Sequence, residues 1–166
     1  MTDTLERVTT EYIESEDRLR LSGETASRSS VVIWLTSRLL QKLVPILLQW
    51  LEQQHGATPR AGILHEWAQQ AARAGLAAQP PVKTEGAHKA WLAQSIDITP
   101  STETVVLTFR SGDEQRAVLV LAAEPLRQWL NIAYDAHVVA GWSLAVWPEW
   151  VSEAAVPIQA PRIGLH

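Results

Sequence analysis

Apolar positions along the chain follow two rhythms, and they are densest in Val31–Leu51, VVIWLTSRLLQKLVPILLQWL. Val31–Leu35 is an uncharged β-branched and aromatic run, the composition of a strand covered on both faces. From Ser37 the rhythm changes. Arg38, Gln41, Lys42, Pro45, Gln49 and Glu52 recur at helical spacing along one stripe, and Leu39, Leu40, Leu43, Val44, Ile46, Leu47, Leu48, Trp50 and Leu51 fill the rest. That apolar face exceeds the roughly 100° of an ordinary surface helix, so one sheet is not expected to cover it. The stretch is long enough to span a bilayer, but Arg38 and Lys42 lie inside it, and a charge near a helix centre costs about 2.5–3.5 kcal/mol there. A buried helix is therefore expected, kinked at Pro45, where the freed carbonyl of Gln41 can meet water.

Period-two alternation in Arg18-Leu19-Arg20-Leu21, followed by Ser22-Gly23, predicts a strand and turn ahead of Val31. The second half repeats this order. Thr104–Arg110 ends in Ser111-Gly112-Asp113, Ala117–Leu121 follows, and a helix opens at Glu124-Pro125. Aligning Val32–Leu35 with Val118–Leu121 sets Leu40 on Leu126, Leu43 on Trp129, Val44 on Leu130 and Ile46 on Ile132, as a strand–turn–strand–helix unit used twice would. Any two hairpin–helix segments of apolar residues can also be aligned in this way.

Between the units, Thr58-Pro59 reads as a helix start. Ile63, Leu64, Trp67, Ala68, Ala71 and Ala72 then recur at helical spacing, with an end near Gly75–Gln79 and a turn-rich loop, PPVKTEGAHK, beyond. Trp91–Thr99 predicts one more strand. The second unit's helix, about Pro125–Ala140, carries Leu126, Trp129, Leu130, Ala133, Val138 and Val139. Arg127, Asn131 and Asp135 mark its wet side, and Gly141 closes it. GWSLAVWPEW is read as one more short strand or turn, followed by an irregular tail.

The expectation is a single α+β domain over residues 1–150, with a tail at 151–166. It has an antiparallel sheet of about five to six strands with helices packed on one face. The first unit covers residues 11–54, a peripheral helix and loop 58–90, and the second unit 91–142.

Composition narrows the chemistry. With 166 residues, 46% of them apolar, the chain can build a real core. A net charge of −4 without any basic cluster makes nucleic acid an unlikely partner. There is no cysteine, so disulfides, thiolate nucleophiles and cysteine metal sites are excluded. The N-terminus MTDTLERVTTEYIESED lacks the pattern of a secretory signal, so a cytoplasmic protein is expected, although a mature secreted domain would look the same.

His65-Glu66 begins the zinc-helix pattern H-E-x-x-H, but position 69 is Gln, and His55, His65, His88, His137 and His166 share no ligand spacing. No metal or other cofactor is expected. Glu11, Glu14, Glu16 and Asp17 lack the alternation and glycine of a calcium loop and read as a solvated strand edge. Tyr134, Asp135 and His137 are the best acid–base group, Tyr134 and His137 lying on one helical face, yet no nucleophile or phosphate loop accompanies them. Eight Trp against two Tyr and one Phe is the unusual count. Trp34, Trp50, Trp67, Trp91 and Trp129 fall at apolar positions of elements, as core or interface rings do. Trp142, Trp147 and Trp150 cluster near Pro148, where docking of the C-terminal segment, a protein interface or stacking on a ligand would each use them.

The sequence therefore favours a non-catalytic interaction or assembly subunit, a homodimer or a complex with another protein. Its contacts are expected at Leu39, Leu43, Ile46, Leu47 and Trp50, or at Trp142, Trp147 and Trp150. The alternative is a ligand-binding or enzymatic domain with a pocket near Tyr134 and His137. Binding of single-stranded nucleic acid by Trp stacking comes third.

Overall fold

A computed structural model describes residues 2–54, 60–85, 89–112 and 114–155. Thr58, Pro59, Asp113 and the tail beyond Ala155 lie outside the described residues. Among them are seven strands, β1 (Thr2–Ile13), β2 (Arg18–Thr25), β3 (Ser30–Leu35), β4 (Lys89–Leu92), β5 (Ser95–Pro100), β6 (Thr104–Ser111) and β7 (Gln115–Ala122), and four helices, α1 (Ser37–Gln53), α2 (Ala61–Ala74), α3 (Ala123–Ala140) and α4 (Glu149–Ala155). The α+β class stands, but the sheet is larger than expected and is mixed. Its order is β4-β3-β2-β1-β7-β6-β5, with β1 parallel to β7, β3 parallel to β4 and the other pairs antiparallel.

The unexpected strand is β1. A register shift between Leu5 and Arg7 breaks its alternation, so Leu5 and Val8 do not fall on period two in the sequence. Each three-strand meander, β1-β2-β3 and β5-β6-β7, is followed by a helix. The third strand of each has a parallel neighbour, β4 beside β3 and β1 beside β7.

The sheet rolls up. Ala93 donates its N–H to Trp34 of β3 and the next residue, Gln94, donates to Arg110 of β6, so the two ends of the strand order are held by adjacent residues. One span of chain, read from the sequence as a single strand Trp91–Thr99, thus supplies both edge strands and brings the two edges together. The inner face carries Leu19, Leu21, Ile33, Leu35, Val105, Leu107, Phe109, Ala117, Leu119 and Leu121, all buried and aligned across the strands by register. Gly23 belongs to this face and is not a turn residue. A Cβ there would come within 2.6 Å of the Leu5 side chain, so only glycine lets β1 and β2 pack as they do. On the opposite face Val82 donates its N–H to Thr9 Oγ1 at 2.9 Å, and Arg7 bonds the Pro80 carbonyl. The segment read as a loop is therefore pinned across β1 on its way to the far edge.

No helix among the described residues is long and apolar enough to cross a membrane.

Candidate functional site

The apolar stripe of α1 is consumed within the chain. Leu40, Leu43, Val44, Leu47, Leu48, Trp50 and Leu51 are buried, an arc of about 160° around the helix. A flat sheet could not cover that arc, but a rolled one can, and this corrects the expectation of a surplus face. The stripe's Trp50 donates to the Ser101 carbonyl at 3.0 Å. Of the interface residues expected here, Leu43, Leu47 and Trp50 belong to the core, Leu39 is half-buried against it, and Ile46 alone is exposed. Thr36 caps the helix, its hydroxyl accepting from Leu39 N.

The C-terminal tryptophans split into two places. Gly141, at φ 70°, closes α3 in a left-handed turn in which Trp142 N bonds the His137 carbonyl, and this drops the Trp142 ring back onto the helix. There it meets His137 edge to face at 5.1 Å and Tyr12 at 5.4 Å, while Trp147 packs against His137 at 5.2 Å and Tyr134 at 5.3 Å. Asp17 Oδ1 accepts from both Tyr12 OH and Trp142 Nε1. The structure thus brings together Tyr134, His137, Trp142 and Trp147, as packing rather than as the walls of a cleft.

His137 Nδ1 donates to the Ala133 carbonyl, and Nε2 is buried without a hydrogen bond among the described residues. Burial pushes this histidine's pKa below its ordinary value, and the bond to Ala133 opposes that only in part. The sign follows from linkage. The unfolded chain binds the proton more readily, so this contribution is fully present above about pH 6.5 and is lost as the pH falls below it. Urea unfolding between about pH 7.5 and 5 should show a decline that His137→Phe flattens. An unchanged profile in that variant would clear His137 of the effect.

Trp150 lies elsewhere, on α4, a helix that crosses position 150 and buries Val151 and Ala154 where an irregular tail was expected. Pro148 precedes its first turn, where a missing N–H costs nothing. The Trp150 ring stacks on His65 at 5.0 Å, and the Arg127 guanidinium lies 5.4 Å from its centroid. These are the edge of a polar seam between α2 and α3. Arg127 NH2 donates to His65 Nδ1 at 3.1 Å and NH1 to Gln69 Oε1 at 3.2 Å. Gln69 Nε2 donates to the Arg127 carbonyl and to Asn131 Oδ1, both at 2.8 Å. A guanidinium only donates, so Nδ1 of His65 must accept and the imidazole proton sits on Nε2.

All four side chains are buried, which overturns the reading of Arg127 and Asn131 as a wet face; only Asp135 reaches solvent, paired with Arg73. Burial lowers the Arg127 pKa to about 10, which leaves it charged at neutral pH, and no carboxylate pairs with it among the described residues.

The consequence for α2 is an inverted polarity. Its inward face carries His65 and Gln69, and its outward face carries Ile63 and Leu64, 48% and 38% exposed, Trp67, 62% exposed, and the exposed Ala71 and Ala74. The sequence set Ile63, Leu64, Trp67, Ala68, Ala71 and Ala72 at helical spacing and read Trp67 as core or interface; Ala72 is buried and Ala68 half-buried while the others are exposed, because periodicity gives the spacing of a face and not its direction. Val138 and Val139, read as core, are likewise exposed.

A cleft of about 590 Å3 between α1 and α2 is lined by Gln49, Glu52, Gln53, Ala61, Gly62, His65 and Trp150. A second, of about 730 Å3, lies between Glu6–Thr10 of β1, the segment Gly75–Pro80 and the start of α3. Neither is lined by Tyr134 or His137. No protein-family model, curated protein or solved structure matches the chain.

Proposed function

We propose that this chain is a non-catalytic interaction subunit that receives a partner protein on the outward face of α2. The observation that carries the reading is the reversed polarity of that helix. Ordinary surface helices turn their apolar side inward because burying one large apolar side chain is worth about 1.5–3 kcal/mol. Here that gain is left unused at Ile63, Leu64 and Trp67, and the helix is held instead by hydrogen bonds that Arg127 donates to His65 and Gln69 and that Gln69 donates to Asn131. Directional bonds fix the rotation of a helix about its axis, which nonspecific apolar contact does not. The seam supports a role as a lock that keeps Trp67 outward, and tryptophan is among the residues that dominate binding energy at protein interfaces.

The absence of cysteine makes the test direct. Ala71→Cys places one thiol on the exposed face, and its rate of maleimide labelling reports whether that face is covered. Labelling in an extract of the cells that make the protein should be roughly tenfold slower than in dilute purified protein. Equal rates in extract, in dilute solution and in concentrated solution would end the proposal.

A further inference from the structure

We infer that the partner is a second copy of this chain, docked as an antiparallel pair of α2 helices about a two-fold axis level with Gln69. The inference rests on the reading of α2 as a docking face and adds the identity and direction of its occupant. A symmetric contact must fit itself, each residue meeting the one reflected through the axis. About a centre at position 69, Trp67 of one copy meets Ala71 of the other, and Leu64 meets Ala74.

Both pairs set a large exposed side chain against a small exposed residue. The large members lie in the first half of α2, and the small ones fill the reflected positions in the second, which is the shape a self-complementary helix needs.

Charge agrees with the same direction. Among the described residues of α2, Glu66 is the one acid and Arg73 the one full-time cation, and both are half-buried at the margin of the stripe. Antiparallel docking brings Glu66 of one copy alongside Arg73 of the other, a guanidinium that already holds Asp135 of its own chain, and opposes the two helix dipoles. Parallel docking would leave Glu66 without a cation across the contact and would align the two dipoles. Helix α2 has 14 residues and is about 21 Å long. A contact confined to it falls short of the roughly 1,600 Å2 of a standard stable interface, so the dimer should come apart on dilution.

Two single-cysteine chains, Leu64→Cys and Ala74→Cys, test both identity and direction. Both positions are exposed, and circular dichroism checks that each variant folds. Under mild oxidation neither chain alone should form covalent dimer, and an equal mixture should, because only unlike positions meet. Sedimentation of the unmodified protein should show a monomer–dimer equilibrium that Trp67→Glu shifts to monomer. Self-crosslinking of either variant in preference to the mixture overturns the antiparallel arrangement. A monomer at every concentration, with the Ala71→Cys thiol protected in extract, overturns the second copy and leaves the docking face to another protein. A monomer with that thiol unprotected everywhere removes both.

Discussion

Leu47→Ala is expected to destabilise the fold by about 3 kcal/mol, within the range measured for leucine truncation in closed cores. The loss should be the same across a roughly hundredfold range of protein concentration. Leu47 is fully buried on α1, within an apolar arc that the rolled sheet and the other helices cover. The space left by three lost carbons cannot collapse, because close-packed neighbours surround it. Ile46, next in the chain and 48% exposed, should cost under about 0.5 kcal/mol when cut to alanine. Urea unfolding of both variants at two concentrations is the check. A Leu47→Ala penalty that depends on concentration would move this residue from core to interface and restore α1 as the docking helix.

Arg127→Ala should cost a comparable amount, about 2–5 kcal/mol, from two acceptors left without their donor. Truncation strips Gln69 Oε1 and His65 Nδ1 of their donor and removes the cation beside Trp150, and acceptors stranded in a buried seam forfeit their full hydration. Arg127→Met separates charge from volume. It keeps a flexible stem against the Trp150 ring and removes a cation whose desolvation no carboxylate offsets, so it should recover about 1–2 kcal/mol of the alanine penalty. Loosening the seam should also free the rotation of α2, seen as faster hydrogen exchange over Ala61–Ala74 in the alanine variant. If methionine were as damaging as alanine, the guanidinium itself, and not the filled space, would be what the seam requires.

Much of the element order was legible because it depends on local pattern. The helix from Ser37 onward, the strands expected at Thr104–Arg110 and Ala117–Leu121, and the close at Gly141 follow from spacing and turn chemistry, and the structure has them there, the strands running Thr104–Ser111 and Gln115–Ala122. The failures share a cause, which is that direction and closure are set by residues far apart in the chain. Nothing near Leu47 reveals that Ala93 and Gln94 join the sheet's two ends and so enclose α1. Nothing near Trp67 reveals that Arg127, some sixty residues on, holds the opposite side of its helix. The polar i, i+4 pairs His65/Gln69 and Arg127/Asn131 were visible as spacings, but a polar pair on a helix reads as its wet side unless a matching pair is known to face it. The bulge between Leu5 and Arg7 hid β1 in the same manner, by breaking the alternation that would have announced it.

Hydroxyl-radical footprinting of one sample, dilute and then concentrated, bears on the central claim most directly, because it reads α1 and α2 together. The expected result is a Trp67 and Leu64 that oxidise readily when dilute and are protected when concentrated, beside an α1 core, Leu43, Leu47 and Trp50, that stays unreactive throughout. Ready oxidation of those α1 residues in dilute protein and their protection on concentration, with Trp67 unchanged, would contradict it.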